Sequence, residues 1–324
     1  MRPVFFAVIA SLLFSVSLCA QQSQPASSPT VQVHPEPALV PGSVQFDLPS
    51  QATGRTYRIY VAKPLGPPPP SGYPVIFLID GDMSFGPAAS RSILGELAGD
   101  IRPALMVAIT YATSDRIEPM KLRTPDLTPT QGSPDDVKNV LDTKPTVYGR
   151  ADLFYRFITQ ELRPALASIA PVDAADQTLY GHSLGGLFAL HIMFTHPEAF
   201  RTFVASSPSI WWDHRAVLKE ESAFAATVTA GRAAPRLLIL SAGYEQTVPK
   251  GPLPAGFTQE DLAKRIPEAR MIDNARELAD RLKVLKGNSP YEVRFHLFEE
   301  ESHTTVVPAS ISRAIDFAVG VQRY

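Results

Sequence analysis

Short apolar runs alternate along this chain with longer stretches in which apolar residues recur every three or four positions. Val75-Ile76-Phe77-Leu78-Ile79 and residues 104–109 have no polar break, and residues 237–241 have one only at the end. Runs of that length without alternation suit strands buried on both faces. Residues 177–180, 200–205 and 293–298 are further strand candidates. Between them, helical spacing appears at 88–97, 151–165, 184–194, 272–285 and 306–319. In the second of these, Leu153, Phe154, Phe157, Ile158 and Leu162 share one side. Strands alternating with helices predict an α/β fold with a mainly parallel twisted sheet flanked by helices.

The start of the chain reads differently. Residues 43–48 and 56–62 flank a turn at Ala52-Thr53-Gly54, which predicts an antiparallel entry hairpin. Residues 64–72 contain Pro67-Pro68-Pro69-Pro70 and read as a stiff loop. Residues 111–148 show no period and are rich in Pro, Asp and Thr, so a long functional loop is expected there.

Ahead of the hairpin stands a segment outside this fold. Arg2 precedes an apolar stretch at 4–18, and Ser17-Leu18-Cys19-Ala20 gives a small-residue exit. This is the pattern of a secretory signal peptide over 1–20, cut after Cys19 or Ala20. The run is short for a membrane span of roughly 20 residues. Lipidation at Cys19 is the alternative, which the bulky Leu18 fits poorly. The expected mature protein is periplasmic or secreted, without stable membrane insertion. Residues 21–41, rich in Ser, Pro and Gln, read as a flexible leader. Residues 42–324 then form one catalytic domain.

Composition narrows the function by exclusion. Of 324 residues, 45% are hydrophobic and 19% charged, and the net charge is −2. No basic excess points to nucleic acid. The single cysteine, Cys19, lies at the cleavage site. Cleavage after it excludes an internal disulfide and disfavours a thiolate nucleophile or metal site. Nothing in the pattern calls for a metal or cofactor, and it leaves the oligomeric state open.

The chemistry centres on Gly181-His182-Ser183-Leu184-Gly185, which follows an apolar run and opens a helical pattern. This is the G-x-S-x-G nucleophile elbow, a sharp strand-to-helix turn that projects the serine hydroxyl above the sheet edge. Gly181 and Gly185 are expected to keep bulk away from that turn. A serine hydroxyl needs a base, and the base needs an orienting acid. Of the seven histidines, only His303 stands just past a strand candidate and before a helix. His182, within the elbow, is expected to point elsewhere. The order serine, acid, histidine directs the search for the acid to the strand at 237–241, and Glu245 follows it. Glu299, Glu300 and Glu301 are nearer to His303 only along the chain. Oxyanion donors are expected at the Leu184 amide and at the turn Gly81-Asp82-Met83, through the amide of Asp82 or Met83.

Four stretches occur in order: residues 74–82, residues 181–186, Ser207-Pro208-Ser209-Ile210-Trp211-Trp212, and Glu301-Ser302-His303. Together they resemble the putative-esterase family of α/β-hydrolases, in the branch of ferric-siderophore esterases acting on enterobactin-type and bacillibactin-type trilactones. The resemblance extends from about residue 44 to the end. It implies an exported serine esterase acting on a small-molecule ester. Acyl transfer to a sugar or alcohol, or a non-catalytic binder on the same fold, are the alternatives. The stretch at 123–129 also resembles that branch, and it implies that Arg123 contacts an anionic or catecholate substrate. Pairing of Arg123 with Asp126 is the other reading. Trp211 and Trp212 either wall the pocket or fill the core.

Overall fold

The computed structural model describes residues 40–115, 117–133, 136, 147–253 and 257–321. The expected signal peptide lies outside them, as does the leader apart from its last two residues. The strands are β1 (Ser43–Pro49), β2 (Thr56–Ala62), β3 (Tyr73–Ile79), β4 (Leu105–Tyr111), β5 (Val172–His182), β6 (Thr202–Ser206), β7 (Arg236–Ala242) and β8 (Glu292–Phe298). They form one eight-stranded sheet in the order β1-β2-β4-β3-β5-β6-β7-β8. The pairs β1–β2 and β2–β4 are antiparallel, and from β4 to β8 every pair is parallel. This is the α/β-hydrolase arrangement with its antiparallel N-terminal pair.

The apolar runs lack polar breaks because each strand is packed on both sides. On one face Ile76, Leu78, Met106 and Val204 meet Phe85 and Ala88 of α1 (Gly81–Ala98). They also meet Ile311 and Ile315 of α8 (Val306–Val319). On the other face Val75, Phe77, Leu179 and Phe203 meet Phe154 of α3 (Ala151–Arg156) and Leu187 and Phe188 of α4 (Leu184–Thr195). The expected helix at 151–165 is not one regular helix. From α3 it passes through a π-helical turn, Phe157–Leu162, into Arg163–Leu166.

Two helices depart from the expected pattern for a stated reason. α1 begins at Gly81, seven positions earlier than the apolar spacing suggests, because Gly86 and Pro87 interrupt that spacing without stopping the helix. α2 (Glu118–Leu127) lies in the segment expected to be a loop. Its buried face is mostly polar, made of Arg123, Thr124, Pro125, Asp126 and Leu127, so no apolar stripe advertises it. The Asp126 carboxylate accepts from Tyr57 Oη at 2.7 Å, Tyr111 Oη at 3.0 Å and Arg55 Nη1 at 3.3 Å. Hydrogen bonds of this kind allow a polar face to be buried. The Arg123–Asp126 pair, the alternative reading of that arginine, is not formed; Arg123 pairs with Asp80 instead. Further helices among the described residues include α5 (Glu221–Thr229), α6 (Gln259–Ala269) and α7 (Met271–Lys283), of which only the last shows helical spacing in the sequence. Among the described residues no helix is long and apolar enough to cross a membrane.

A buried histidine clamps α4 to its neighbours. His191 Nδ1 lies 2.9 Å from Glu220 Oε1, and Nε2 lies 3.4 Å from Asp152 Oδ1. Burial disfavours the imidazolium, but hydrogen bonds to Asp152 and Glu220 outweigh this and raise its pKa to about 9. A folded-state pKa above the unfolded value gives stability that is complete below about pH 6.5 and is lost as pH rises through about 9. Chemical denaturation is therefore expected to show a loss on the order of 3 kcal/mol between pH 6 and pH 10. His191→Gln is expected to flatten that dependence, and an unchanged slope in the variant would contradict the assignment.

Candidate active site

Ser183 sits between the end of β5 and the start of α4 with φ 60° and ψ −118°, a backbone conformation that L-residues rarely adopt. Three contacts hold it there. Its N–H donates to the Ser206 carbonyl at 2.9 Å, and its carbonyl accepts from Leu187 N at 3.0 Å and Ser209 N at 3.1 Å. Gly181 makes the turn sterically feasible, since a Cβ there would stand 2.0 Å from the Gly185 carbonyl oxygen. Gly185 is less restricted than expected, because its nearest non-local atom would be Ile79 Cγ2 at an ordinary 3.4 Å. The tighter second position is Gly186, where a Cβ would approach the Ser206 carbonyl oxygen to 2.9 Å.

The three expected side chains meet in one row. His303 Nε2 lies 3.0 Å from Ser183 Oγ, and His303 Nδ1 lies 2.6 Å from Glu245 Oε1. The second Glu245 oxygen accepts the Ala242 amide at 3.0 Å. The Glu245 side chain is 1% exposed, whereas that of His303 is 41% exposed. A carboxylate at Nδ1 assigns the proton to that nitrogen and leaves Nε2 free to accept from the serine. Strand order explains the meeting: β5, β6, β7 and β8 are consecutive neighbours, all parallel, so the segments after β5, β7 and β8 emerge at one edge. The two loops are also laced together. Tyr244 N donates to the Glu301 carbonyl at 3.0 Å, and Gly243 leaves room for Glu299, whose carbonyl oxygen would stand 2.1 Å from a Cβ there.

Two helix starts converge on the same edge. Leu184 opens α4, and Gly81 and Asp82 open α1 after the neighbouring strand β3. Amides of a first helical turn lack intrahelical acceptors and favour negative charge. The Met83 amide is spent on the Asp80 carbonyl at 2.9 Å, which narrows the expectation on that side to Gly81 and Asp82. The Asp82 carboxylate turns away to Thr110 Oγ1.

Arg123 lies beside the nucleophile turn, where it is engaged by a carboxylate of the protein itself. It is 5% exposed, and its Nε and Nη2 donate to Asp80 Oδ1 at 2.7 Å and Oδ2 at 2.6 Å. Nη2 also reaches the His182 carbonyl at 3.3 Å. Burial opposes its charge, but Asp80 more than compensates and raises its pKa. Asp80 itself has φ 58° and ψ 59° at the head of α1. Arg123 thus ties the turn carrying Gly81 and Asp82 to the residue before the nucleophile. Trp212 is core: it is fully buried, its Nε1 donates to Thr130 Oγ1 at 3.1 Å, and its ring fills the space beside Gly132. Trp211 is half-buried, with its ring centroid 6.1 Å from that of Trp212.

The sequence reading missed two residues here. Ser209 Oγ lies 3.3 Å from Ser183 Oγ, and nothing in Ser-Pro-Ser-Ile-Trp-Trp marks that hydroxyl before the fold is known. His182 does not point elsewhere; its ring centroid is 4.6 Å from that of His303. Among the described residues no group of three or more His, Cys, Asp or Glu is arranged to hold a metal ion.

Arg123→Leu strips a buried carboxylate of its bidentate partner, a change that costs about 3–5 kcal/mol. Urea denaturation of Arg123→Leu is expected to show a loss of that order, and Asp80→Asn in the same chain is expected to restore part of it. A loss below about 1 kcal/mol would contradict the buried pair.

Residues 50–260 match the family described as "Putative esterase". The ferri-bacillibactin esterase BesA of Bacillus subtilis (strain 168) is 36% identical over 86% of this chain and 90% of its own length. The siderophore triacetylfusarinine C esterase of Aspergillus fumigatus is 34% identical over 87% of this chain and 94% of its own. The crystal structure of the BES protein from Bacillus cereus superposes with a TM-score of 0.71 at 30% identity, covering 89% of this chain and 100% of that one. The chain belongs to the putative-esterase family, and it is an α/β-hydrolase acting on carboxylic ester bonds.

Proposed function

We propose that Ser183 is the nucleophile, His303 the general base and Glu245 the residue that orients it. Ser183 Oγ attacks the ester carbonyl while Nε2 takes its proton, and the carbonyl π electrons move onto oxygen. The Leu184 amide and the Gly81 and Asp82 amides stabilise that oxyanion. Each such donor contributes roughly 3 kcal/mol in comparable sites. The tetrahedral intermediate expels the alkoxide, which receives the proton from Nε2. Water, deprotonated by His303, then attacks the acyl-serine; the second tetrahedral intermediate breaks the acyl–Oγ bond, Nε2 returns the proton to Ser183 Oγ, and the acid is released. The buried Glu245 carboxylate stabilises the imidazolium at each step and accepts no proton itself. The hydrogen-bonded row from Ser183 Oγ through His303 to Glu245 is the observation that supports this reading.

The substrate class is proposed to be an iron-chelating trilactone or a related siderophore ester. Two relatives of comparable length, a ferri-bacillibactin esterase and a triacetylfusarinine C esterase, support this class rather than one specific molecule. Residues 1–20 are proposed to direct export, so that hydrolysis takes place in a periplasm or outside the cell. Amino-terminal sequencing of the mature protein tests this, with a start at Ala20 or Gln21 expected.

Kinetics on a panel of ferric trilactones, feruloyl sugars and simple acyl esters test the substrate class. The highest kcat/KM is expected for a ferric trilactone; a preference for simple acyl esters would overturn it. On whichever ester is best, Ser183→Ala is expected to lower kcat by at least about 1,000-fold. Glu245→Gln is expected to keep KM and lower kcat on the order of 100-fold or more. Wild-type turnover by Ser183→Ala would refute the assignment of the nucleophile.

A further inference from the structure

We propose that Tyr180 and His182, two side chains on the nucleophile's own strand, are positioning residues that hold the His303 segment at hydrogen-bonding height over Ser183. The inference rests on the catalytic reading of Ser183 and His303 and adds what fixes the distance between them.

The need arises from topology. His303 follows β8, which is separated from β5 by β6 and β7. The segment after β8 must reach back across two strands to meet Ser183. Its own strand therefore does not set the separation of base and nucleophile. A misplacement of about 1 Å lowers turnover on the order of 100-fold in catalytic sites of this kind.

The two anchors stand two residues apart on β5, so they share one face of the sheet. That is the face packed by α8, the helix that begins just after His303. Tyr180 is fully buried, and its Oη lies 2.7 Å from Ser310 Oγ on α8. Ser310 already donates its own proton to the Val307 carbonyl at 2.8 Å, so it accepts from Tyr180. One turn of α8 is thereby bonded to the strand that carries the nucleophile.

His182 makes the second tie, directly at the base. It is 7% exposed, and its Nδ1 lies 3.1 Å from Ser206 Oγ at the end of β6. Its ring also packs against that of His303, with the two centroids 4.6 Å apart. Burial, with the adjacent His303 and Arg123, keeps its pKa well below the ordinary histidine value, so it is neutral. A neutral imidazole has one donor and one acceptor, so it accepts from Ser206 at Nδ1 and keeps its N–H on the side of the ring away from Ser206. Neutrality matters, because His303 becomes an imidazolium during turnover and stands beside it. Ser206 completes the frame, since its carbonyl also accepts the Ser183 amide. Nucleophile and base are thus referenced to the same two strand ends.

Steady-state kinetics on the best ester test this, run at a temperature where circular dichroism shows each variant folded. His182→Leu is expected to lower kcat by 10- to 100-fold and to leave KM within about twofold. His182→Gln, whose amide supplies a donor and an acceptor, is expected to recover most of that loss. Tyr180→Phe removes one oxygen, keeps the ring's packing, and is expected to lower kcat several-fold. Wild-type kcat in folded His182→Leu would overturn the proposal. If His182→Leu does not fold, Tyr180→Phe decides, and its wild-type kcat would overturn the proposal equally. Ser183→Ala, measured in parallel, separates the two failures. An active Ser183→Ala removes the catalytic reading itself. An inactive Ser183→Ala beside fully active His182 and Tyr180 variants removes only the positioning role.

Discussion

A single backbone conformation governs the site, that of Ser183 at φ 60° and ψ −118°. Such conformations cost on the order of 1–3 kcal/mol and persist only where the surroundings over-determine them. Here both polar backbone groups of Ser183 are engaged, by Ser206 on one side and by Leu187 and Ser209 on the other. The absence of a side chain at Gly181 removes the clash that would forbid the turn. The result is a hydroxyl fixed at the head of a helix, where a developing negative charge is favoured.

The remaining parts converge on that hydroxyl because of the sheet. Parallel strands deliver their following segments to one edge, and the order β3-β5-β6-β7-β8 spaces those segments across it. β3 supplies the Asp80 turn and the start of α1, β5 the serine, β7 the buried glutamate and β8 the histidine. Buried polar contacts then set the register between neighbours. Arg123 and Asp80 join the α1 turn to the elbow, and the Tyr244–Glu301 bond joins the glutamate loop to the histidine loop. These groups lie within or beside the core, where an unpaired member is costly, so each contact specifies one arrangement.

Much of this was legible before the fold was known, for identifiable reasons. The unbroken run at Val75–Ile79 suited a doubly covered strand, and Gly181 beside Ser183 marked a turn that a bulkier residue forbids. His303 and Glu245 could be picked out because strand ends are predictable and few titratable residues follow them. What was not legible depends on contacts between distant residues. α2 hides because its buried side is polar, and its partners Tyr57, Tyr111 and Arg55 lie elsewhere in the chain. The partner of Arg123 was not legible, because Asp80 lies 43 positions away in the chain. Trp211 and Trp212 are adjacent in sequence yet differ in burial, because the space beside Gly132 accepts one indole. His182 looked incidental to the elbow because the residue it supports is remote in sequence.

The proposed chemistry requires one reactive hydroxyl activated by one histidine. Mass spectrometry after treatment with a fluorophosphonate probe tests this most directly. The expected result is one phosphonylated residue, Ser183, in the wild-type protein, with labelling slowed by orders of magnitude in folded His303→Ala. Labelling at another serine, or equal labelling rates in the two proteins, would contradict the account.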